Sequence, residues 1–290
     1  MNTIALAKQY TPLLDEVYRI ASVTEDLVSS SDIVRAGASA EEILYPQIDV
    51  SGLGDYDRNS GYTTGSNTVK WVSAKFNYDR GAKFNVDSED DAETFGIAFG
   101  QLSGELMRTR VAPEADAFCF ATLAGKSGIS VGTATTFTSG KDFLDALADA
   151  KTRMDEDEVP AEDRILYATS TLLNSVIRLD TTASREILDA FAARRAVPQS
   201  RFYTAIDLLD GKTGGEEAGH YKKADDGKDI NFMVIHKPAV IKYDKHVVSG
   251  IIAPENNPDA DAYVVKYRKH GIVDVYANKV AGIYVSHKAS

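Results

Sequence analysis

Apolar positions in this chain change their period several times, and each change marks an element. Over residues 2–28, Ile4, Leu6, Leu13, Leu14, Val17, Ile20 and Leu27 recur at helical spacing. Pro12 interrupts the pattern, so a short helix from about Thr11 onward is expected. Residues 29–42, SSSDIVRAGASAEE, are small and polar and read as an extended connector. ILYPQIDVS, residues 43–51, reads as a strand. Pro46 within it points to an edge position, since proline cannot donate to a ladder. Residues 52–67, GLGDYDRNSGYTTGSN, are loop by composition, and residues 68–87 return as strand. In that return, Val69 and Trp71 alternate in one phase and Val72, Ala74, Phe76 and Tyr78 in the other. The slip predicts a bulge or a twist between Trp71 and Val72. Hairpin loops usually hold about 2–5 residues. The connector 52–67 is far longer, so the two strands read equally as an arm reaching beyond its own core or as a plain surface hairpin with a flexible tip.

The strongest helical pattern spans residues 88–124. Ser88 can cap it, and Glu89, Asp90 and Asp91 place negative charge at the positive end of the helix dipole. Phe95, Phe99, Leu102 and Leu106 share one face. Pro113 must kink this helix or begin its second segment. Residues 126–138 are Gly/Ser/Thr-rich loop, and a helix is expected from about Gly140 to Met154 with Phe143, Leu147 and Met154 inward. The acidic turn 155–163 precedes a buried strand at 164–169 and a helix at 171–179. Residues 184–195, SREILDAFAARR, read as helix and the following VPQSRFYT as extended. Residues 211–229 carry glycine and charge without an apolar period and read as an exposed loop. Four strands follow, at 230–236, 239–252, 261–276 and 281–287. Helices and strands are segregated and do not alternate as βαβ units, which is an α+β pattern.

Composition narrows the chemistry. The chain has 290 residues, enough for about two domains' worth of core. Cys119 is the single cysteine, so no disulfide can form within the chain, and its place between Phe118 and Phe120 suits a small apolar core residue. No apolar run approaches the roughly 18 residues of a membrane span, and the N-terminal stretch lacks the pattern of a signal peptide. The protein is expected to remain in the cytoplasm where it is made. The net charge of −11 argues against a sequence-reading nucleic-acid binder, which needs a basic face for phosphates. Residues 230–290 are net positive by three, so the rest of the chain carries −14 (−11 − 3 = −14). Such asymmetry suits copies that meet head to side.

No catalytic constellation is present. His220, His236, His246, His270 and His287 are scattered without ligand spacing, and there is no nucleophile elbow or phosphate-binding loop. The glycines of residues 52–61 lack dinucleotide-binding spacing, and no helix follows them. Asp155, Glu156, Asp157 and Glu158 sit together on one turn and favour solvent. No catalytic residue, cofactor or metal is assigned, and the chain does not read as an enzyme.

The order of parts, and the runs FNYDRGAKFNVDSEDDAETFGIAFGQLSGELMRTRVAPEADAFCFATLA (76–124), VPQSRFYTAIDLLDGKT (197–213), DINFMVIHKPAVIKYDKH (229–246) and DADAYVVKYRKHGIVDVYANKVAGIY (259–284), resemble tailed-phage major capsid proteins with the Hong Kong ninety-seven type fold. The resemblance covers essentially the whole chain. It implies an N-terminal arm (1–42) and an extended loop over a neighbouring subunit (43–87). It further implies a peripheral domain (88–138) with spine helix 88–124, an axial domain (139–255) and C-terminal strands (256–290) returning to the peripheral domain. It implies copies of the chain assembling into capsomers and an icosahedral head shell. That shell, the capsid of the virion, would assemble in the host cytoplasm and enclose DNA without reading its sequence. Tyr56, Arg58, Tyr62, Trp71 and Arg80 are the expected inter-subunit contacts. A separate scaffolding protein is the expected partner, with portal and head-completion or decoration proteins beside it, and no membrane. Some relatives crosslink an arm lysine to a neighbour's asparagine; Lys70, Lys75 and Asn278 match no such motif, and noncovalent assembly is expected. The alternatives are an encapsulin-like compartment shell around protein cargo and a soluble enzyme with an unrecognised site.

Overall fold

A computed structural model describes residues 22–29, 35–36, 42–59, 61–88 and 104–289. The chain divides into two compact units, Ser30–Asn77 and the remainder.

The smaller unit is a three-stranded antiparallel sheet of β1 (Arg35–Ala36), β2 (Glu42–Val50) and β3 (Asn67–Lys75), in that order. Pro46 lies in the middle strand and not at an edge, and the described residues of β1 pair only with Ile43 and Leu44. The register is continuous from Glu42↔Lys75 to Val50↔Asn67, with Trp71 facing Pro46 and Val72 facing Tyr45. The bulge expected between Trp71 and Val72 is therefore absent. The phase slip has another cause: Val69 and Trp71 belong to one face of the ribbon, and Val72 and Ala74 to the other.

The smaller unit ends at Asn77, short of residue 87, because β4 (Tyr78–Asp87) pairs with β12 (Ala262–Val275) over its whole length. β12 in turn pairs with β11 (Val240–Ile252), and the order is β11–β12–β4. The bulge in this sheet falls between Asp244 and His246.

The core of the larger unit is a five-stranded mixed sheet. Its order is β5 (Ser130–Val131), β13 (Ile283–His287), β10 (Ile230–His236), β6 (Arg164–Thr169) and β7 (Ala193–Val197). β10 is buried at every position and β6 at all but Thr169, as their near-continuous apolar runs require of strands covered on both faces. One face, with Tyr167, Met233, Ile235 and Val285, packs on Cys119, Phe120 and Leu123 of α1 (Ala112–Ala124). The other, with Leu166, Phe232 and Val234, packs on α2 (Gly140–Glu156), α3 (Ser170–Ile177) and α4 (Thr182–Asp189). Phe143, Leu147 and Met154 of α2 are fully buried, as their spacing predicts. Ser139 and Asp142 form a capping box that fixes where α2 begins.

Several expectations need correction. Helix α4 stops at Asp189, and Ala193–Val197 is a strand parallel to β6. A β6–α3–α4–β7 crossover thus interrupts the segregated α+β order; two arginines inside ARRAV hid the strand. In the segment 211–229, Tyr221–Lys223 forms β9 and pairs with β8 (Ile206–Leu208). Residues 22–29 hold one short turn, Glu25–Leu27, and not the end of a helix. The backbone amides of Val23 and Thr24 donate to the Asp116 carboxylate, a partner outside any helix ladder. The expected helix start from Thr11, and Phe95, Phe99 and Leu102 of the long helix, lie outside the described residues. The described part of that helix is wound as a π-helix over Met107–Val111, directly before Pro113. Proline has no amide to donate to Thr109, and the wider turn absorbs the missing bond.

Phe120 is fully buried and meets the rings of Tyr167 and Phe202 edge-on at 5.3 and 4.8 Å. Phe120→Ala is expected to cost about 3–5 kcal/mol of stability, read as a lowered denaturant midpoint.

Candidate functional site

The described residues expose eleven large apolar side chains, and seven of them belong to the smaller unit: Ile48, Val50, Leu53, Tyr56, Tyr62, Val69 and Trp71. Cross-strand partners share a face of an antiparallel ribbon. Pro46 with Trp71 and Ile48 with Val69 therefore line one face, and Val50 extends it toward the tip. The opposite face buries Ile43, Tyr45 and Ala74 at its base and turns polar beyond them, at Gln47, Lys70 and Thr68. Only those three apolar side chains of the unit are buried, among the described residues.

The loop that joins the strands is built and held. Ser51 N donates to Ser66 O and Ser66 N to Ser51 Oγ, each at 2.9 Å. Asp57 and Gly61 exchange backbone bonds of 3.2 and 2.7 Å, and Asn59 N donates to the Asp57 carboxylate. Gly61 takes φ +79°, which an L side chain disfavours. This inner turn brings the Tyr56 and Tyr62 rings to 4.9 Å, tilted by 60°. Tyr62 remains 89% exposed and Trp71 47%. Rigid aromatic rings held in water are the side chains most often found at the centres of protein contacts. Arg58 is exposed on the same turn.

Arg80 is placed differently from the other four. It lies on β4, and its Nε donates to Glu114 Oε1 at 2.7 Å while its Nη2 reaches Leu209 O at 2.7 Å and His220 O at 3.2 Å. Its guanidinium is spent inside the larger unit, where it joins β4, α1 and the strand ends flanking the 210–219 loop. Glu114 also receives the Tyr78 hydroxyl at 3.3 Å, and His220 Nδ1 stands 3.6 Å away. Burial favours the neutral acid, but His220 and Arg80 outweigh it, so Glu114 titrates below its ordinary value.

A second buried carboxylate lies two residues on. Asp116 is fully buried and accepts from Ser22 Oγ (2.8 Å), Val23 N (3.1 Å), Thr24 N (3.3 Å), Thr24 Oγ1 (2.7 Å) and Arg201 Nη1 (3.1 Å). Lys242 Nζ, itself buried, donates to Thr24 O and Oγ1 at 2.7 and 2.6 Å. Residues 22–29 are thus fastened into the core. Nothing in their sequence announces this, because Asp116 lies more than ninety positions away.

The acidic turn is organised from beneath. Arg164, 2% exposed, pairs with Asp155 at 2.7 Å and donates to the carbonyls of Val159 and Pro160. Among the described residues, no three His, Cys, Asp or Glu side chains are grouped so as to hold a metal ion. A groove of about 610 Å³ is lined by Asp149, Arg153, Asp157 and Tyr284, and in it Arg153 pairs with Asp157 at 3.2 Å. No described helix is long and apolar enough to cross a membrane.

Glu114→Gln is expected to cost about 1–3 kcal/mol at neutral pH, since it leaves the Arg80 charge without its partner. A carboxyl whose folded pKa is depressed contributes stability above its unfolded pKa, about 4.3, and loses it as pH falls through the folded value. Denaturant midpoints of the variant and the parent should therefore converge below about pH 4.

No family model and no curated protein matches the sequence. Solved structures do match the fold. A capsid structure of the cyanophage P-SCSP1u covers 93% of this chain and 89% of its own, at 14% identity and a TM-score of 0.58. A Mycobacterium phage Ogopogo structure covers 93% and 92%, at 12% identity and a TM-score of 0.58. A virus-like particle from Pyrococcus furiosus covers 94% and 95%, at 10% identity and a TM-score of 0.57. The chain has the fold of these shell subunits, the Hong Kong ninety-seven type, over nearly its whole length.

Proposed function

We propose that this chain is the major capsid protein of a tailed phage, copies of which assemble into capsomers and a closed icosahedral head around DNA. The observation that carries the reading is the apolar face of the smaller unit, joined to a fold shared with capsid shells. An exposed row of Pro46, Trp71, Val69, Ile48 and Val50 calls for a cover. A neighbouring copy supplies that cover at every position of a shell, through contacts that close on themselves.

On this reading residues 43–87 are the extended loop, rooted through β4 in the larger unit. Tyr56, Arg58, Tyr62 and Trp71 contact the neighbour, while Arg80 holds its own subunit together. Residues 1–42 serve as the N-terminal arm, and 88–138 as the peripheral domain built on the spine helix 88–124. Residues 139–255 form the axial domain, and 256–290 the returning strands. The open edges of β3 and β4 offer backbone groups for pairing between chains. The net charge of −11 suits a wall that does not bind the DNA it encloses. Scaffolding, portal and decoration proteins are the heterologous partners, and the shell assembles in the host cytoplasm without covalent crosslinks. The encapsulin-like alternative is not favoured.

Trp71→Ala with Val69→Ser leaves the larger unit untouched in sequence. Circular dichroism should be unchanged while assembly into closed particles drops by at least about tenfold, one core aromatic contact at an interface being worth about 2 kcal/mol or more. Normal yields of closed particles from this variant, read by sedimentation, would remove the ribbon face from the contact. Deleting residues 53–66 should likewise give a folded subunit that forms no closed shell; boiled denaturing gels of the parent should show no ladder of multimers.

A further inference from the structure

The two stretches of the larger unit that flank the smaller one in sequence are both held by the same turn of α1. The chain leaves the larger unit at Ser29 and returns at Tyr78. The departing stretch, Ser22–Thr24, is held by four hydrogen bonds to the Asp116 carboxylate. Ser29 then closes the stretch onto β11, its amide donating to Lys242 O at 3.0 Å and its hydroxyl to Val240 O at 2.9 Å. The returning stretch, Tyr78 and Arg80, is held by the Glu114 carboxylate at 3.3 and 2.7 Å.

We propose that the first turn of α1 is a double clamp, in which Asp116 and Glu114 fix two stretches of the larger unit, 22–24 and 78–80, to one rigid element so that they loosen together.

Residues two apart on a helix point to opposite sides, so one turn can hold two strands of chain without either crossing the other. Both carboxylates are buried, Asp116 completely and Glu114 to 7% exposure, so losing a partner leaves an uncompensated charge in a poorly solvated place. Each carboxylate meets a cation: Arg201 reaches Asp116 from a further element, and Arg80, on the returning stretch itself, ties Glu114 to the carbonyls of Leu209 and His220. Pro113 sits inside this turn with its φ locked, directly after the π-helical segment Met107–Val111. A stiff turn next to an irregular one is where a change in the long helix would be passed to both stretches at once. Met107 and Leu106, the buried side chains just before it, pack on Tyr267 of β12, the strand that also pairs with β4.

This inference concerns the mechanics of one subunit and stands whether or not the chain builds a shell. It is tested by hydrogen exchange with mass spectrometry on the full-length protein, comparing the parent with Asp116→Asn, Glu114→Gln and the exposed-pair control Asp180→Asn. Asp116→Asn is expected to speed exchange about tenfold or more in peptides covering 22–29, as removal of a charge-assisted network implies. The clamp further requires the same variant to speed exchange several-fold at 78–82, and Glu114→Gln to do the reverse, with β10 and the control unchanged. Acceleration confined to the stretch whose carboxylate is substituted would make the two anchors independent and overturn the proposal. Acceleration spread equally over β10, or absent everywhere, would overturn it too. Should Asp116→Asn lose its cooperative thermal transition, Arg201→Met, which leaves the carboxylate and its other donors in place, is read by the same criteria.

Discussion

A two-stranded ribbon that keeps Pro46, Trp71, Val69, Ile48 and Val50 in water is incomplete. Each such side chain, once covered, contributes roughly 1.5–3 kcal/mol, and a unit burying only Ile43, Tyr45 and Ala74 among its apolar side chains recovers little of that by itself. The described core of the larger unit is filled. Its five-stranded sheet is covered on both faces, and its aromatic core residues Phe120, Tyr167, Phe202, Phe143 and Phe232 are buried. One chain thus joins a self-sufficient body to a strand pair that needs a partner. On the proposed reading, assembly adds burial where folding left it undone.

Inside the larger unit, the stretches next to Ser30 and Asn77 are held by polar chemistry. Glu114 and Asp116 are charges buried in a helix otherwise lined with Ala, Phe and Leu. Buried charges cost free energy unless they are paired, and hydrophobic replacements often pack as well. What they add here is direction: a carboxylate accepts from particular donors at particular angles, so residues 22–24 and 78–80 are placed where greasy contacts would let them slide. The arrangement gives both stretches a defined place in the larger unit.

Much of this architecture was legible in the chain. Strands covered on both faces announced themselves as apolar runs, INFMVIH and RILYAT, and α2 by its cap at Ser139 and its spacing from Phe143 to Met154. The strand pair β2–β3 was legible because an oversized Gly/Tyr-rich loop separated two strand patterns. Failures came where tertiary partners overrode local preference. ARRAV carries two arginines on an edge strand, where charge is tolerated because one side faces water. Residues 22–28 carry apolar spacing suited to a helix, but the Asp116 carboxylate offers their amides a better acceptor. Trp71 and Val72 seemed out of phase only because apolar residues occupy opposite ribbon faces at different heights. The role of Arg80 was invisible for the same reason: its partners Glu114, Leu209 and His220 come from distant parts of the chain.

The most direct test of the account is negative-stain electron microscopy of the purified protein, with its mass from light scattering, alone and co-expressed with a candidate scaffolding protein. Closed shells, tubes, or rings of pentamer or hexamer size are the predicted result. A protein that stays monomeric under both conditions, with its ribbon face in water, would contradict it.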